Sequence, residues 1–198
     1  QWSKMRVCID PRHLNQHIDD EHTRMPHITE VVRRVQEYSY ITALDLRSGF
    51  TQFQVHPDHV ERTGFTWDHR KYEFVRVPYG LRNVPQRFQA VMLQILDGLE
   101  SFSTVYVDDI IIMSHTLDDH IRQTNAVLER LNSYNLRIKP SKCKWACRRC
   151  AVLGHMVGDG RVGPHPSRVD EVCAFPRPST LKTLRAFLGM VCCLLYTS

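Results

Sequence analysis

The stretch from Phe102 to Ser114, FSTVYVDDIIIMS, constrains the fold more than any other part of the chain. Residues 104–107 and 110–113 are runs of β-branched and other apolar residues, which favour strands. They predict a β-hairpin with two adjacent carboxylates, Asp108 and Asp109, at its tip. Burying unpaired carboxylates costs free energy, which a bound divalent cation commonly offsets. An ordinary acidic turn is the alternative interpretation, because Asp is frequent in turns.

Asp45 is a third carboxylate in a similar position, at the end of the strand-like run 40–46. Three carboxylates at one edge of a sheet could hold two divalent cations. Metal pairs roughly 3.5–4 Å apart stabilise the attacking and leaving oxygens in phosphoryl transfer. Periodicity alone does not place Asp45 beside Asp108, so this grouping needs further evidence.

The order of the elements predicts an α+β fold with a largely antiparallel sheet. Two long amphipathic helices would cover one face of that sheet, and the other face would stay free for a substrate. Thr29 is the expected N-cap of the first helix. The predicted helices cover residues 30–38, 84–99, 117–134, 164–175 and 180–190, and the remaining strands cover 7–9, 51–55, 63–67, 71–77, 136–138 and 151–157.

Composition fits a folded domain without membrane segments. Hydrophobic residues make up 42% and charged residues 24% of the chain, and no apolar run approaches the length of a membrane span. Lys and Arg exceed Asp and Glu by 26 − 21 = 5, which permits a polyanionic partner. The chain starts without an initiator Met or a signal peptide, so we expect a piece cut from a longer polypeptide.

Seven cysteines raise the question of a metal site. Cys143, Cys147, Cys150 and His155 are zinc-type ligands, but they lack the two C-x2-C pairs of a zinc ribbon. Reduced cysteines of an intracellular protein are the preferred interpretation. A zinc module stays open as the alternative.

Five motifs follow one another in the order typical of reverse transcriptases. Nearly the whole chain resembles that family, in particular the Pol polyproteins of gypsy-type LTR retrotransposons. The Tyr-x-Asp-Asp motif alone would be weak evidence, whereas five ordered motifs with family-like spacing are strong evidence. The motifs are RVCIDPRHLN at 6–15, LDLRSGF at 44–50, VPYGLRNVP at 77–85, YVDD at 106–109 and VLGH at 152–155.

The resemblance implies a right-hand polymerase fold, with an antiparallel palm sheet backed by two long helices. Residues 1–163 would form the fingers and palm, with the fingers at about 1–37 and 51–78 and the palm mostly at 40–163. Residues 164–198 would start a truncated thumb. Because the family's first fingers strand and most of the thumb are not in this sequence, we expect poor activity from the chain alone.

The resemblance also implies roles for individual residues. Asp45, Asp108 and Asp109 would be the catalytic metal ligands and hold two Mg²⁺ or Mn²⁺ ions. The other implied contacts are Arg6 to the phosphates of the incoming nucleotide, Phe50 under its sugar to exclude a 2′-hydroxyl, Tyr79 and Gly80 beside its pocket, and Tyr106, Leu153 and Gly154 to the primer end.

By this resemblance the protein is an RNA-directed DNA polymerase that adds dNTPs to a primer 3′-hydroxyl on an RNA or DNA template. Its expected partners are the protease, RNase H and integrase of the same polyprotein, with no membrane. Its expected location is a cytoplasmic virus-like particle. The alternative is a non-catalytic nucleic-acid-binding remnant, against which the intact Asp45, Asp108 and Asp109 argue.

Overall fold

A four-stranded antiparallel sheet organises the computed structural model of this chain, which describes residues 9–19 and 25–195 and the side chains of these as far as Cys192. The predicted strand at 7–9 lies mostly outside the described residues. The strand order is β4-β5-β1-β6, which confirms the predicted α+β fold with an antiparallel sheet. The strands are β1 (Tyr40–Asp45), β4 (Ser103–Tyr106), β5 (Asp109–Ser114) and β6 (Lys144–Cys147).

Two helices cover one face of this sheet, as predicted: α3 (Val84–Ile95) and α4 (Leu117–Ser133). The Thr116 hydroxyl caps α4 by accepting a 3.2 Å hydrogen bond from the Asp119 amide. α3 ends four residues earlier than predicted, because the chain turns through Gly98, whose φ is +80°. The core on this side contains Leu44, Met92, Ile110, Ile112, Val127 and Leu131.

The opposite face is covered over much of its length, so the prediction of a free second face is wrong. The helix α2 (Ile28–Gln36) and a hairpin sheet pack there against Ile41, Ile111 and Met113. α2 begins at Ile28 with His27 as N-cap, so Thr29 lies inside the first turn rather than capping it. The hairpin sheet consists of β7 (Arg149–Val152), β8 (His155–Gly158) and β9 (Arg161–Pro164).

The strand predicted at 51–55 is instead a 3₁₀ turn, Gly49–Gln52, followed by a short extended segment. The rings of Phe50 and Phe53 both pack edge-on to Phe88, at centroid distances of 5.0 and 5.2 Å. Residues three apart share a face in a 3₁₀ turn but not in a strand. The three-residue spacing of Phe50 and Phe53 therefore reflects a 3₁₀ turn and not a strand.

Two further strand predictions are wrong in the C-terminal half. Residues 151–157 form two strands, because Leu153 and Gly154 take φ values of +49° and +83° and make a two-residue hairpin turn between β7 and β8. Residues 136–138 contribute only a single bridge, between Leu46 and Ile138. The edge strand β6 was not predicted.

The remaining elements are short or peripheral. Asp68 and His69, with φ values of +47° and +57°, form the turn between β2 (Phe65–Trp67) and β3 (Arg70–Tyr72). Among the described residues, no helix is long and apolar enough to cross a membrane. These elements are α1 (Arg12–Asn15), β2 (Phe65–Trp67), β3 (Arg70–Tyr72), α5 (Pro166–Cys173) and α6 (Leu181–Leu195).

Candidate active site

The fold brings the three predicted carboxylates to one edge of the central sheet. Asp45 is the last residue of β1 and is paired in register with Asp109, the first residue of β5. Asp108 lies in the turn immediately before Asp109, between β4 and β5. Antiparallel pairing of β1 with β5 is what joins residues more than sixty positions apart in the sequence.

Burial and mutual repulsion raise the pKa of both hairpin carboxyls. For Asp108, burial is the larger cause, the charge of Asp45 adds to it, and the ammonium of Lys142 opposes it. For Asp109, partial burial again comes first, followed by the charges of Asp45 and Asp108. The edge therefore concentrates negative charge that a cation would stabilise.

Asp108 Oδ1 is a buried oxygen with no hydrogen-bond partner among the described residues. A Cβ on Gly49 would lie only 2.7 Å from this atom and 3.1 Å from the ring of Phe88. Position 49 is therefore reserved for glycine by the close approach of the Asp108 carboxylate. An unpaired buried carboxylate oxygen is unusual in a folded protein and fits a role as a metal ligand.

A cavity of about 420 Å³ opens beside these carboxylates. Its lining includes Asp45, Asp108 and Tyr79 together with the basic residues Lys139 and Lys142. Lys142 Nζ lies 3.4 Å from Asp45 Oδ2. Positive side chains beside carboxylates fit a ligand that carries both phosphates and metal ions.

The oxygen donors at this edge fit divalent cations. Carboxylate oxygens are the ligands that Mg²⁺ and Mn²⁺ prefer, and Asp45, Asp108 and Asp109 supply them at one edge. Within residues 9–19 and 25–195, however, no three acidic, His or Cys side chains already form a closed metal-binding group. The carboxylates fit divalent cations because their oxygens are suitable ligands and because Asp108 Oδ1 has no other partner among the described residues. Asp45 forms an ion pair with Lys142 in this arrangement.

Gln89 is a part of this site that sequence reasoning missed. Its side chain is fully buried on α3, donates a 2.9 Å hydrogen bond to the Val105 carbonyl and accepts a 2.6 Å bond from the Val107 amide. Val107 has a φ of +50°, a strained conformation for a β-branched residue. Gln89 thus braces the turn that presents Asp108. An amide within the apolar stripe of a helix was the available signal, because a buried amide needs partners.

The nucleotide-pocket residues lie in adjoining segments. The ring of Phe50 is half-buried, lies 5.7 Å from the ring of Tyr79 and packs against the core. Gly80 has a φ of +98°, and its carbonyl accepts a 3.0 Å bond from Asn15 Nδ2. Among these, only Tyr79 lines the cavity directly in the part of the chain that the structure describes. Arg6 lies outside the described residues.

Asn15 is a second contributor that the sequence did not reveal. Besides Gly80, it binds the backbone amide of Arg82 through Oδ1 at 2.9 Å. Pro11 packs against Gly80, with its Cγ 3.1 Å from the place where a Cβ would stand. The first motif therefore buttresses the third, although about 65 residues separate them.

The predicted primer contacts meet on the other side of the sheet. Tyr106 and Leu153 both pack against the core cluster formed by α2, β1, β5 and the hairpin sheet. Leu153 and Gly154 form the turn between β7 and β8, and a Cβ on Gly154 would lie 2.5 Å from the guanidinium of Arg168. α5 thus supports this turn from behind.

The four zinc-type residues do not form a site. Cys143 belongs to the core on the α3 and α4 side, whereas Cys150 packs on the opposite face of the sheet. The His155 ring nitrogen Nδ1 lies 3.1 Å from the Leu153 carbonyl. Burial raises the pKa of the Cys150 thiol to about 11, which keeps it protonated and a poor metal ligand. The sheet separates Cys143 from Cys147 and Cys150, and no three His, Cys, Asp or Glu side chains among the described residues form a metal-binding group, so the zinc alternative is wrong.

Known proteins are similar to this sequence over almost its full length. The chain is 34% identical over 189 residues to a retrovirus-related Pol polyprotein from transposon 297 of Drosophila melanogaster. It is 32% identical over 186 residues to the corresponding polyprotein from transposon gypsy of the same organism. These alignments cover 95% and 93% of the chain but only 18% of each relative.

The fold is shared with solved polymerases. A foamy viral protease-reverse transcriptase in complex with double-stranded DNA superposes with a TM-score of 0.87, at 24% identity, over 93% of this chain and 32% of that one. Residues 2–157 match the family described as reverse transcriptase (RNA-dependent DNA polymerase). Because this match covers more than three quarters of the sequence, the chain belongs to the reverse transcriptase family.

Proposed function

We propose that this chain is the polymerase core of a retrotransposon Pol polyprotein and acts as an RNA-directed DNA polymerase. The observation that carries the proposal is the edge formed by Asp45, Asp108 and Asp109, with an unpartnered buried oxygen on Asp108. Family membership supports it.

The reaction joins a primer 3′-hydroxyl oxygen to the α-phosphorus of a dNTP. The bond from that phosphorus to the bridging oxygen breaks, pyrophosphate leaves with the electron pair, and the hydroxyl proton is released. Two Mg²⁺ or Mn²⁺ ions, when bound, supply charge stabilisation for the attacking and leaving oxygens. Asp45, Asp108 and Asp109 would hold them, and the rigid β1–β5 pairing would fix their spacing.

The chain's other residues would position the reactants. Tyr79 and Gly80 would flank the nucleotide, Phe50 would underlie its sugar, and Arg6 would contact its phosphates. Lys139 and Lys142 face the same cavity and would offset phosphate charge. Catalysis in phosphoryl transfer rests largely on such positioning and charge stabilisation.

The primer end would rest against Tyr106 and the turn of Leu153 and Gly154. In the same proposal residues 1–163 are fingers and palm, and residues 164–198 begin a thumb. The foamy viral enzyme has been solved with double-stranded DNA and with an RNA/DNA hybrid, which supports a primer–template partner here. Protease, RNase H and integrase of one polyprotein, within a cytoplasmic virus-like particle, complete the proposal.

The test is primer extension by Asp108→Asn in a protein extended to the polymerase portion of the Pol relatives, because the 198 residues span only 18% of those relatives and we expect poor activity from them alone. An amide carries no charge and is a poorer ligand for Mg²⁺, so extension should fall at least about a hundredfold, as when transition-state charge stabilisation is lost. The protein is kept in excess over primer–template, so that slow duplex release does not limit the measurement.

The control is Asp68→Asn, which makes the same change in the exposed β2–β3 turn. It should extend primers like the parent. Extension by Asp108→Asn within tenfold of the parent would remove Asp108 from the metal site. No Mg²⁺-dependent extension by the parent, with primer–template still bound, would identify a nucleic-acid-binding remnant.

A further inference from the structure

A second and larger cavity, of about 930 Å³, lies beside the active-site cavity. We call it the arginine groove. It runs between residues 51–54, the end of α3 and the loop after α4, and Arg76 and Arg137 are its charged residues. Within the described part of the chain, no Asp or Glu lines it. Its size is that of a cavity for a small organic ligand.

A hydrogen-bonded wall separates the arginine groove from the active-site cavity. Gln52 Oε1 accepts a 2.7 Å bond from the Arg137 amide, and Gln52 Nε2 donates to the carbonyls of Arg137 and Arg47 at 2.9 and 3.0 Å. The Arg47 amide in turn donates to the Arg137 carbonyl at 2.9 Å. The groove is therefore a preformed neighbour of the active site and not part of it.

The two arginines are positioned to bind an anion. Arg76 donates a 2.7 Å bond to the Gln52 carbonyl, which fixes its guanidinium and leaves further donors available. The guanidinium of Arg137 makes no hydrogen bond or ion pair with any described residue, because only its backbone takes part in the wall. Paired guanidinium groups match the geometry of phosphate oxygens.

Nearby negative groups do not neutralise these arginines. α3 and α4 both end beside the groove, where helix carbonyls carry partial negative charge. The Ile95 carbonyl already accepts a 2.8 Å bond from Arg130, and the Leu131 carbonyl accepts one of 2.9 Å from the Leu136 amide. Asp97 and Glu100 line an adjoining depression and not the groove. The two acidic side chains therefore lie at one end of the groove, away from its lining.

The rest of the lining fits a nucleobase. The ring of Tyr134 is 56% exposed, which leaves a face available for stacking. The side-chain amides of Gln54, Gln94 and Asn135 also line the groove and make no hydrogen bond with any residue in the described ranges. Amides read base edges by donating and accepting at once.

We propose that the arginine groove is a second nucleotide-binding site. The phosphate lies on Arg76 and Arg137, and the base lies against Tyr134 and the amides. The nucleotide is either free or one unit of a single strand, since both carry the same phosphate and base chemistry. The site goes beyond the polymerase reaction and does not depend on it.

The test measures binding of a fluorescently labelled ATP to the 198-residue chain by fluorescence anisotropy, in EDTA. EDTA withdraws the metal ions that a triphosphate needs at the carboxylate edge. Arg137→Gln and Arg76→Gln should each weaken binding about tenfold, the typical effect of losing one charged hydrogen bond. Tyr134→Ala should weaken it about fivefold or more through lost stacking. Binding in EDTA does not report polymerisation, so either proposal can fail without the other.

Arg33→Gln on α2 is the matched control, since it removes an exposed arginine from the other side of the sheet. It should leave the affinity within about twofold of the parent, the range of ordinary surface changes. Arg137 takes part in the hydrogen-bonded wall only through its backbone amide and carbonyl, so Arg137→Gln should retain those bonds. A melting temperature equal to the parent's checks that the fold is kept.

Competition then identifies the source of the nucleotide. Displacement of the label by oligodeoxythymidylate at lower concentration than by ATP indicates a nucleic-acid strand, and the reverse indicates a free nucleotide. Either result supports the site. No binding of the ATP probe, equal loss in Arg33→Gln, or displacement by a glutamate-rich peptide as effective as by ATP overturns the proposal.

Discussion

Phe50 shows how one side chain can serve packing and selectivity together. It follows the left-handed Ser48 and the tightly packed Gly49, so its backbone is fixed by its neighbours. Its ring contacts Tyr79 at 5.7 Å and packs edge-on to Phe88 at 5.0 Å. A ring held on two sides cannot move aside for a 2′-hydroxyl, which is the physical basis of the proposed sugar discrimination.

We expect Phe50→Ala to raise ribonucleotide incorporation relative to deoxyribonucleotide incorporation by about tenfold or more, because an added polar group is then accommodated without a clash. The measurement is the ratio of kcat/KM values for a dNTP and the matching rNTP.

Phe53→Ala is the control for this prediction. Phe53 packs on the same Phe88 ring at 5.2 Å, whereas the ring contact with Tyr79 is made by Phe50. Its removal should lower stability and leave the ratio unchanged. If the two variants shift the ratio equally, Phe50 is an ordinary core residue.

Some residue roles were predictable from the sequence and others were not. Asp108 and Asp109 interrupt apolar strands, and carboxylates in that setting carry an evident cost. The link to Asp45 came from the family resemblance, because pairing of β1 with β5 is a long-range contact. Gln89 and Asn15 were not found, since their partners are backbone groups of distant segments that no local pattern encodes.

At the scale of elements, the β4–β5 hairpin holds its strained turn through α3. Gln89 binds the backbone on both sides of Tyr106, and α3 carries it into the core beside Phe88 and Met92. Substituting Gln89→Met keeps the volume but leaves the Val105 carbonyl and the Val107 amide unsatisfied. We expect a loss of about 1–3 kcal/mol in the free energy of unfolding by urea, the usual cost of an unsatisfied buried polar group.

A second readout separates positioning from stability. Mn²⁺ affinity should also fall in Gln89→Met, because the turn that presents Asp108 is released. Gln86→Met is the control on the same helix, since Gln86 Oε1 is buried without a partner and its removal breaks no bond there. Parent-like Mn²⁺ affinity in Gln89→Met would show that the turn keeps its shape unaided.

His120 joins α4 to the central sheet through a buried polar network. Its Nε2 lies 2.7 Å from Thr42 Oγ1 on β1 and its Nδ1 lies 2.9 Å from Ser114 Oγ on β5. Thr42 Oγ1 also accepts a 3.0 Å bond from the Ala146 amide of β6. Burial lowers the pKa of His120 below its ordinary value of 6.5. Both ring nitrogens are thus engaged by hydroxyls while the imidazole is neutral.

The lowered pKa makes the fold sensitive to acid. The unfolded chain binds a proton at His120 more readily than the folded one, so stability is fully present above the unfolded pKa and is lost as pH falls through the folded pKa. We expect the melting temperature of the parent to fall more between pH 7.5 and pH 5 than that of His120→Gln. Each kcal/mol lost from the free energy of unfolding should lower the melting temperature by about 2–4 °C. Parallel profiles of the two proteins would contradict a neutral buried His120.

Elements were predictable where one face is strongly apolar, as in α3 and α4. β6 escaped prediction because Lys144, Trp145 and Ala146 are exposed on an edge strand, so no alternation marks it. The inward face of α4 includes His120 and Thr124, whereas the apolar Ile121 is 54% exposed. At His120 a specific hydrogen-bond network outweighs the hydrophobic pattern, whereas the buried Thr124 hydroxyl makes no hydrogen bond with a described residue.

At the scale of the whole molecule, negative and positive side chains lie in different places. The chain has a formal net charge of +5, although its candidate site is acidic. Lys144 and Arg149 are exposed on β6 and on β7, the strand that leads into the turn proposed to contact the primer. Lys139 and Lys142 face the active-site cavity instead. We expect a duplex held at that turn to contact the cations of these two strands.

Primer–template binding should weaken steeply with salt, because each phosphate neutralised by Lys or Arg releases a counterion. Removing Lys144 and Arg149 together, as Lys144→Gln with Arg149→Gln, should reduce the slope of log affinity against log salt by about one for each lost contact, roughly two in total. Fluorescence anisotropy with a labelled duplex, across about 50–200 mM KCl, measures that slope. Arg122→Gln, which removes a cation paired with Asp119 on the outer side of α4, should leave it unchanged. A slope equal to the parent's in the double variant would show that the duplex crosses a different surface, and the primer contact proposed for Leu153 and Gly154 would have to move with it.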